Sequence, residues 1–390
     1  MTWMGKAQQI RRQNMKVNAV AGKLFSMLRE DGLRCCILKG QGNALMYPNP
    51  YSRTPGDIDV WIHASRERII EYASKKFELE DDIRLQHLET SLDGVPVELH
   101  FFPCSMNNPI YHTRLQKWFR RNADLQCSHI VGLPDGAGDI AIPTTAFNVI
   151  YQLMHLYHHF FDEGIGMRQI IDYFLVVNDF SKNVFLNNDL SNPSVNFSNH
   201  PVPLSKEGST FSPSPSSSGS GDVTAPSRCS EPLRSKDGGP SKVSPNCAGW
   251  DRRGVSGDTG SVSCSSASTT DSSASTALDV VQRELKYLEL WKFARAVMYV
   301  LHEALGLSEE KMIAPMDEKR GKLLLAEILN GGNFGKHFTK YGHFTQQGMA
   351  KKYFLKIWRN MHFVRYYPAE ALSEPIFRTW HFFWRMKNRK

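Results

Sequence analysis

The amino-acid sequence predicts an α+β fold, in which a small mixed sheet near the N-terminus is followed by a mainly helical part. Two short apolar runs, "CCIL" and "DIDVWI", and the turn signal Asp93-Gly94 all lie within the first hundred residues. After residue 144, apolar residues recur instead at the three- and four-residue spacing of amphipathic helices. The 390 residues are enough to bury two ordinary cores.

The first predicted elements are a helix and a buried strand. Apolar residues recur at helical spacing through residues 14–30, and Gly32 is expected to end this helix. Residues 35–40, "CCILKG", are typical of a short buried strand. The short helix that follows is expected to stop before Pro48 and Pro50, because proline cannot continue a helix.

A second strand and a hairpin complete the predicted sheet. Residues 57–62, "DIDVWI", form the strand, and a helix near 65–77 follows it. Asp93-Gly94 stands between two extended runs and indicates a tight hairpin turn. In the run "VPVELHF", alternation places Glu98 and His100 on the face opposite the apolar side chains.

The remaining elements are predicted to be helices. Residues 144–161 form a helix that opens with a threonine cap, and residues 167–180 form the next. Residues 277–306 form one long helix closed by a glycine. Residues 351–388 mix aromatic with basic side chains; a helical core explains this mixture, and nucleic-acid binding is the alternative.

A serine-rich segment divides the helical part. Residues 190–276 contain few aliphatic residues and cannot bury enough apolar surface to offset the entropy of ordering, so the segment is predicted to be a disordered insertion. A phosphorylated or partner-binding tail is the functional alternative. The predicted organisation is an α/β domain over residues 1–135 and a helical domain in two parts, 136–189 and 277–390.

The charge, the cysteine content and the lack of a long apolar run limit the partners and the cellular location to be expected. A formal charge of +8 and a pI near 9.0 suggest an anionic partner such as a nucleotide, a nucleic acid or an acidic surface. The seven cysteines form no CxxC pair, which favours free thiols in a reducing compartment. The sequence shows neither a membrane-spanning run nor a signal-peptide pattern, so a cytoplasmic location is expected.

Two carboxylates, Asp57 and Asp59, stand one residue apart in an apolar strand. Because side chains alternate along a strand, both point to one face, and their like charges require a positive group or a shared proton. Glu98 adds a third carboxylate if the two strands are neighbours. A divalent cation such as Mg²⁺ would neutralise this cluster. The alternative is a solvated strand whose acidic residues pair with Arg53.

Glycines and positive charges lie beside the carboxylates. Gly40 and Gly42 allow the backbone to approach a ligand closely, and N–H groups at the start of the next helix could hold phosphate. Lys39 and Arg53 add positive charge there. An ordinary exposed lysine at the end of a strand is the alternative for Lys39.

The pattern of strand, glycine, helix and Gly-Asp-Ile-Asp, with a later carboxylate on its own strand, resembles the polymerase-beta-type nucleotidyltransferase superfamily. More closely, "ILKGQGNALMYPNPYSRTPGDIDVWI", "VPVELHF", "HLYHHFFDEGIGMRQIIDYF" and "GGNFGKHF" resemble an uncharacterised bacterial nucleotidyltransferase family. The resemblance implies a small mixed-sheet, polymerase-beta-like domain and a helical domain that forms the other wall of the cleft. It covers most of the chain outside the serine-rich segment.

The resemblance implies roles for the carboxylates. Asp57 and Asp59 would be ligands of two Mg²⁺ ions, with Mn²⁺ as the alternative ion. Glu98 would be the third ligand and would help to activate the attacking hydroxyl. Gly40 would lie on the turn that faces the phosphates.

The phosphate-binding turn departs from the superfamily pattern. The superfamily usually has Gly-Ser or Gly-Gly, whereas this chain has Gly40-Gln41, so Lys39, Gln41 or Asn43 would have to replace the missing hydroxyl. Arg168, in "GIGMRQ", would point toward a phosphate; an intrahelical ion pair with the aspartate four residues later is the alternative. The predicted nucleotide-binding residues are Lys39, Gly40, Gln41, Arg53 and Arg168.

A histidine cluster on the helix over 144–161 suggests a different site. His155 and His159 are four residues apart, as zinc ligands on a helix often are, and His158 lies beside them. The segment has neither the glutamate of an HExxH motif nor an obvious third ligand. Structural or substrate-lining histidines are therefore the favoured interpretation.

The predicted function is the metal-dependent transfer of NMP from an NTP to a hydroxyl or amine acceptor, with release of pyrophosphate. The alternatives are a nucleotide-binding protein with little or no turnover and a toxin–antitoxin-type interaction protein. The acceptor stays open among small molecules, saccharides, proteins and nucleic acids. The identity of the NTP and the oligomeric state are open as well.

Overall fold

The computed structural model describes residues 3–79, 83–186, 270–331 and 349–388. Within these ranges the fold is α+β, as predicted, with a small mixed sheet in the N-terminal part and a mostly helical remainder. Residues 190–269 of the predicted disordered insertion, and all of "GGNFGKHF" beyond its first glycine, lie outside the described residues. No described helix combines the length and the apolar character that crossing a membrane requires.

The mixed sheet has four strands in the order β1-β2-β4-β3. Strand β1 (Cys35–Leu38) pairs antiparallel with β2 (Ile58–Ile62). Strand β2 in turn pairs parallel with β4 (Val95–His100), which pairs antiparallel with β3 (His87–Leu92). The strands that carry the predicted carboxylates are therefore the two central ones.

The predicted hairpin joins β3 to β4. Asp93 and Gly94 both have positive φ angles, 51° and 70°, which suits a two-residue type I′ turn. The parallel pairing of β4 with β2 then places Glu98 opposite Asp59. Local turn chemistry and sheet order thus bring two of the three predicted carboxylates side by side.

One face of the sheet is covered by helix α1 (Trp3–Glu30), helix α3 (Arg66–Lys76) and a small hairpin of β5 (Ile130–Gly132) and β6 (Asp139–Ala141). Helix α1 starts well before residue 14 but stops ahead of Gly32, as predicted. The core residues on this face include Leu24, Phe25, Ile37, Val60, Val97, Leu99 and Ile140. This core holds β2 and β4 in place below the polar face of the sheet.

Helix α1 passes unusually close to the loop before β6. A Cβ atom added to Gly22 would lie 2.3 Å from the carbonyl oxygen of Ala137, which belongs to the backbone. We expect Gly22→Ala to lower the free energy of unfolding by about 1–3 kcal/mol, because helix and loop must separate. Urea unfolding measures this change. Gly56→Ala is the matched control, since nothing lies within 4 Å of its added Cβ; equal losses in the two variants would contradict the explanation.

The opposite face of the sheet packs against helices α4 (Pro109–Ser128), α5 (Thr145–Asp162) and α6 (Met167–Leu186). Trp61 of β2 contacts Phe147 of α5, with ring centroids 6.3 Å apart. Every residue of β2 is therefore buried, on one face or the other. Asp59 shares its face with Trp61 and lies toward α5.

Helix α5 begins where predicted, but Thr144 does not cap it through its side chain. The Thr144 hydroxyl and backbone N–H both donate to Oε1 of Gln126, at 3.1 and 2.7 Å. Thr144 stands at the predicted capping position, but the prediction that its side chain caps the helix is wrong. The threonine ties the start of α5 to α4 instead.

The other helices are the short α2 (Gly40–Ala44), which follows β1, and five in the C-terminal part. These five are α7 (Thr270–Tyr287), α8 (Trp291–Leu305), α9 (Glu318–Gly331), α10 (Met349–Met361) and α11 (Pro368–Asn388). Apolar side chains of α7, α8, α9 and α11 extend the core that begins at Trp61.

The prediction of one helix over residues 277–306 is wrong, because α7 and α8 are separate. Glu289 adopts a left-handed backbone conformation, with a φ angle of 61°, between two fully buried leucines, Leu288 and Leu290. Residues two apart on a helix point to nearly opposite sides. The break allows both leucines to enter one core. Gly306 ends α8 in the left-handed conformation, as predicted.

Helix α11 is anchored by a buried carboxyl group. Glu370, 2 % exposed, accepts hydrogen bonds from the backbone N–H groups of Asn107 and Asn108, at 2.6 and 3.3 Å. Burial raises the pKa of Glu370 to about 7 in spite of these bonds. The protonated form is therefore favoured in the folded protein relative to the unfolded one.

This anchor predicts a pH-dependent stability. The folded pKa of about 7 exceeds the ordinary 4.5, so the contribution of Glu370 is fully present below pH 4.5 and is lost as the pH rises through 7. We expect the unfolding free energy of Glu370→Gln, relative to wild type, to rise by up to about 3 kcal/mol over this range and then level off. Urea unfolding at a series of pH values measures it. A difference that does not vary with pH would contradict the prediction.

Candidate active site

A cleft of about 340 Å³ lies over the polar face of the sheet. Its walls come from the turn after β1, from β2, β3 and β4, and from helices α5 and α6. The predicted site residues that line it are Lys39, Gly40, Arg53, Asp57, Asp59, Glu98 and Arg168. Residues from positions 39 to 168 are thus brought to one cavity.

The three carboxylates occupy neighbouring positions in this cleft. Asp57 is exposed just before β2, whereas Asp59 is buried and lies opposite Glu98 in the parallel register. Partial desolvation by the walls of the cleft, followed by the nearby charges of Asp59 and Glu98, raises the pKa of Asp57. Repulsion among the carboxylates is therefore only partly relieved by the protein's own groups.

Lys39 supplies one of those groups. Its Nζ atom lies 3.1 Å from Oδ1 of Asp59 and 3.3 Å from Nε2 of His155. Burial alone would raise the pKa of Asp59, but the charge of Lys39 and a hydrogen bond to His100 outweigh it and lower that pKa. The alternative of an ordinary exposed lysine at the strand end does not hold, because the Lys39 side chain is 18 % exposed and pairs with Asp59.

His100 is a second counter-charge, and sequence reasoning assigned it no role. Its Nε2 atom lies 3.0 Å from Oδ1 of Asp59 and 3.1 Å from Oε2 of Glu98. Burial opposes the charged form, yet hydrogen bonds to both carboxylates raise the pKa of His100 to about 9. The signal in the sequence was its place beside Glu98 on the polar face of β4.

Arg53 does not pair with Asp57 or Asp59, as the alternative interpretation of those aspartates required. Its guanidinium binds Asp172 of α6, with Nε–Oδ1 and Nη2–Oδ2 distances of 3.1 and 2.9 Å, and both residues are buried. The Tyr47 hydroxyl donates to the same carboxylate at 2.7 Å. Arg53 therefore neutralises Asp172 at the wall of the cleft, and Asp57 and Asp59 do not pair with it.

Arg168 and the glycine turn complete the polar wall. Asp172 binds Arg53 rather than Arg168, and Nε of Arg168 has no hydrogen-bond partner among the described residues. The side-chain amide of Gln41 hydrogen-bonds to Asn18 of α1 and therefore faces away from the cleft. Asn43 lines the cleft and exchanges hydrogen bonds with Gln152 of α5.

The histidines of α5 line the cleft, as the favoured interpretation expected. Nε2 of His155 lies 3.0 Å from Nε2 of His159. Burial, followed by the charge of Lys39, lowers the pKa of His155 well below its ordinary value, so the neutral ring is favoured. Among the described residues, the group with metal-ligand spacing is instead His87, Glu98 and His100.

Asp162, at the end of α5, forms ion pairs with two cationic side chains of the C-terminal helices. Oδ1 of Asp162 lies 2.9 Å from Nζ of Lys356 on α10 and 2.8 Å from Nη2 of Arg378 on α11. Burial opposes ionisation, but these two charges outweigh it and lower the pKa of Asp162. The far wall of the cleft is thereby tied to helices α10 and α11.

The donor set fits a hard divalent cation. Asp59 and Glu98 stand side by side on paired strands, and Asp57 adds a carboxylate whose pKa is raised by desolvation and by the charges of the other two. Mg²⁺ prefers carboxylate oxygens and leaves positions for phosphate oxygens and water. A cation at this position would relieve the remaining repulsion.

Comparison with known proteins matches the N-terminal part of the chain to one family model. The model of a family described as uncharacterised nucleotidyltransferase matches residues 1–191. The crystal structure of an antigenic nucleotidyltransferase-like protein from Paracoccidioides brasiliensis aligns at 16 % identity and a TM-score of 0.27, covering 41 % of this chain and 75 % of that one. A search of curated proteins finds no match.

Proposed function

Because the model of the uncharacterised nucleotidyltransferase family matches residues 1–191, we propose that this protein is a metal-dependent nucleotidyltransferase. It would transfer NMP from an NTP to a hydroxyl or amine acceptor and release pyrophosphate. The observation that carries the proposal is the convergence of Asp57, Asp59 and Glu98 in one cleft, beside Lys39 and a glycine turn.

The carboxylates would hold the metal. Asp57, Asp59 and Glu98 would bind Mg²⁺, two ions being expected, with Mn²⁺ as the alternative. Such ions, when bound, neutralise phosphate charge and polarise the attacking and leaving oxygens. Glu98 would also accept the proton of the acceptor's hydroxyl or amine.

The turn after β1 would receive the phosphates. Gly40 has a φ angle of 34°, where a side chain is strained, and it lines the cleft with its backbone. Lys39 and Arg168 line the same cleft and would offset the charge of the triphosphate. Arg53 would act indirectly, because its guanidinium is held by Asp172.

The acceptor would enter from an adjoining cavity of about 290 Å³. This cavity shares wall residues with the first, among them His87, His158 and Asp162. Phe377 of α11 adds an apolar surface on its outer side. A nucleotide in the first cavity and an acceptor in the second would meet beside Glu98.

Calorimetry with each of the four NTPs tests the proposal. We expect one NTP to bind in the presence of Mg²⁺, with binding lost in EDTA and in Asp57→Ala/Asp59→Ala. Pyrophosphate release in an acceptor screen then separates the enzyme from the nucleotide-binding and interaction-protein alternatives, which bind without turnover. Absence of binding for all four NTPs would contradict the proposed site.

A further inference from the structure

Three potential metal ligands of the β3–β4 hairpin converge beside the predicted magnesium site. His87 lies on β3 directly opposite His100 on β4, and Glu98 projects from the same face. One ligand atom from each residue lies within 4.8 Å of the other two. The hairpin register, fixed by the turn at Asp93 and Gly94, sets this arrangement.

The spacing of these atoms is close to that of ligands around one ion, with His87 slightly farther away than a bound ligand would be. Oε2 of Glu98 lies 3.1 Å from Nε2 of His100 and 3.6 Å from Nδ1 of His87. Donor atoms bound to one ion at about 2.1 Å stand roughly 3.0–3.4 Å from their neighbours. Asp59 adds a fourth donor, since its Oδ1 atom is 3.0 Å from Nε2 of His100. An ion bound here would replace, and release to solvent, the proton that His100 shares with Asp59 and Glu98 in the metal-free protein.

His87 has lone pairs to offer. Its side chain is 13 % exposed, and neither ring nitrogen makes a hydrogen bond within the described residues. The nearest carboxylate oxygens are those of Glu98, at 3.6 Å, and Glu89, at 3.5 Å. A half-buried imidazole whose ring nitrogens meet, in the described part of the chain, only these carboxylates is suited to the coordination of an ion between them.

We propose that His87, Glu98 and His100, with Asp59 beside them, bind a first-row divalent transition-metal ion. Imidazole and carboxylate together suit Mn²⁺, Co²⁺ or Zn²⁺, whereas Mg²⁺ prefers oxygen ligands alone. The site shares Glu98 and Asp59 with the proposed magnesium cluster. It does not depend on nucleotidyl transfer.

Direct imidazole ligation of a bound ion distinguishes this site from the carboxylate cluster. After removal of metals with EDTA and dialysis, the full chain is loaded with Mn²⁺ alone and examined by pulsed electron paramagnetic resonance. We expect modulation from a directly bound imidazole nitrogen in the wild type. His87→Gln and His100→Asn should each weaken binding about 10–100-fold and reduce this nitrogen signal, by analogy with losses of supporting ligands.

The matched control is His63→Gln. His63 is another partly buried histidine on the sheet side of the chain, but it contacts Arg34 outside both cavities. It should leave the nitrogen signal unchanged. Circular dichroism shows whether each variant folds. If His100→Asn does not fold, because His100 is the more deeply buried residue, the nitrogen signal of His87→Gln alone tests the proposed ligation.

Two results would overturn the proposal. Mn²⁺ that binds with no nitrogen signal would place the ion on carboxylates only, and a signal that survives in folded His87→Gln at wild-type strength would exclude His87. Neither readout uses a nucleotide. A nitrogen signal in a protein that binds no NTP would therefore refute the proposed function and leave the metal site standing.

Discussion

Asp57→Asn is expected to lower pyrophosphate release at least about 1,000-fold and to leave the fold intact. Loss of a metal-holding carboxylate removes several kcal/mol of charge stabilisation from the transition state. Asp57 is exposed at the start of β2, so its amide analogue leaves no buried cation behind. The rate is measured with the NTP that calorimetry selects and with the acceptor found by screening.

The choice of Asp57 over Asp59 matters for the interpretation. Asp59 is buried against Lys39 and His100, and its removal would leave both charges without their partner. Glu67→Gln, which neutralises an exposed carboxylate on α3 outside the cleft, is the matched control and should keep wild-type activity. Wild-type rates in folded Asp57→Asn would rule out a metal-binding role for this residue.

Asp172→Ala is expected to lower the free energy of unfolding by about 3–5 kcal/mol, because it leaves a buried arginine without a counter-charge. Arg53 and Asp172 are each 8 % exposed as side chains, and the Tyr47 hydroxyl would lose its acceptor as well. Urea unfolding of the variant and the wild type gives the difference.

Two further variants isolate the cause. Arg53→Met/Asp172→Leu removes both charges and should recover most of the stability lost in the single variant. Glu71→Ala breaks an exposed pair with Lys75, each side chain being 67 % exposed, and should cost less than about 1 kcal/mol. Equal losses in Glu71→Ala and Asp172→Ala would show that burial is not the source of the effect.

The sheet was predictable because its signals are local. Alternation along β4 and the dipeptide Asp93-Gly94 depend on neighbouring residues, so they are visible without the rest of the chain. The break between α7 and α8 depends instead on the burial of Leu288 and Leu290 in one core, which is a tertiary demand. A periodic sequence alone cannot show it.

The same distinction applies to the site. Two aspartates one residue apart were visible, but the parallel pairing that brings Glu98 to Asp59 joins strands separated by the whole of α3 and β3. Likewise, Arg168 and Asp172 have the spacing of a helical pair, yet Asp172 binds Arg53. Asp172 pairs with Arg53 rather than Arg168 because both Asp172 and Arg53 are buried, and a buried carboxylate is strongly destabilised without a buried counter-charge.

Asp162 has a consequence for where the chain could be cut into separately folding parts. It lies within the segment 1–191 that carries the family pattern, whereas its cations, Lys356 and Arg378, come from helices beyond that segment. Excision at residue 191 would leave this aspartate uncompensated and Glu370 absent from the backbone of Asn107. The end of the matched segment is therefore not expected to be a boundary of independent folding, because Asp162 and the backbone of Asn107 rely on groups of α10 and α11.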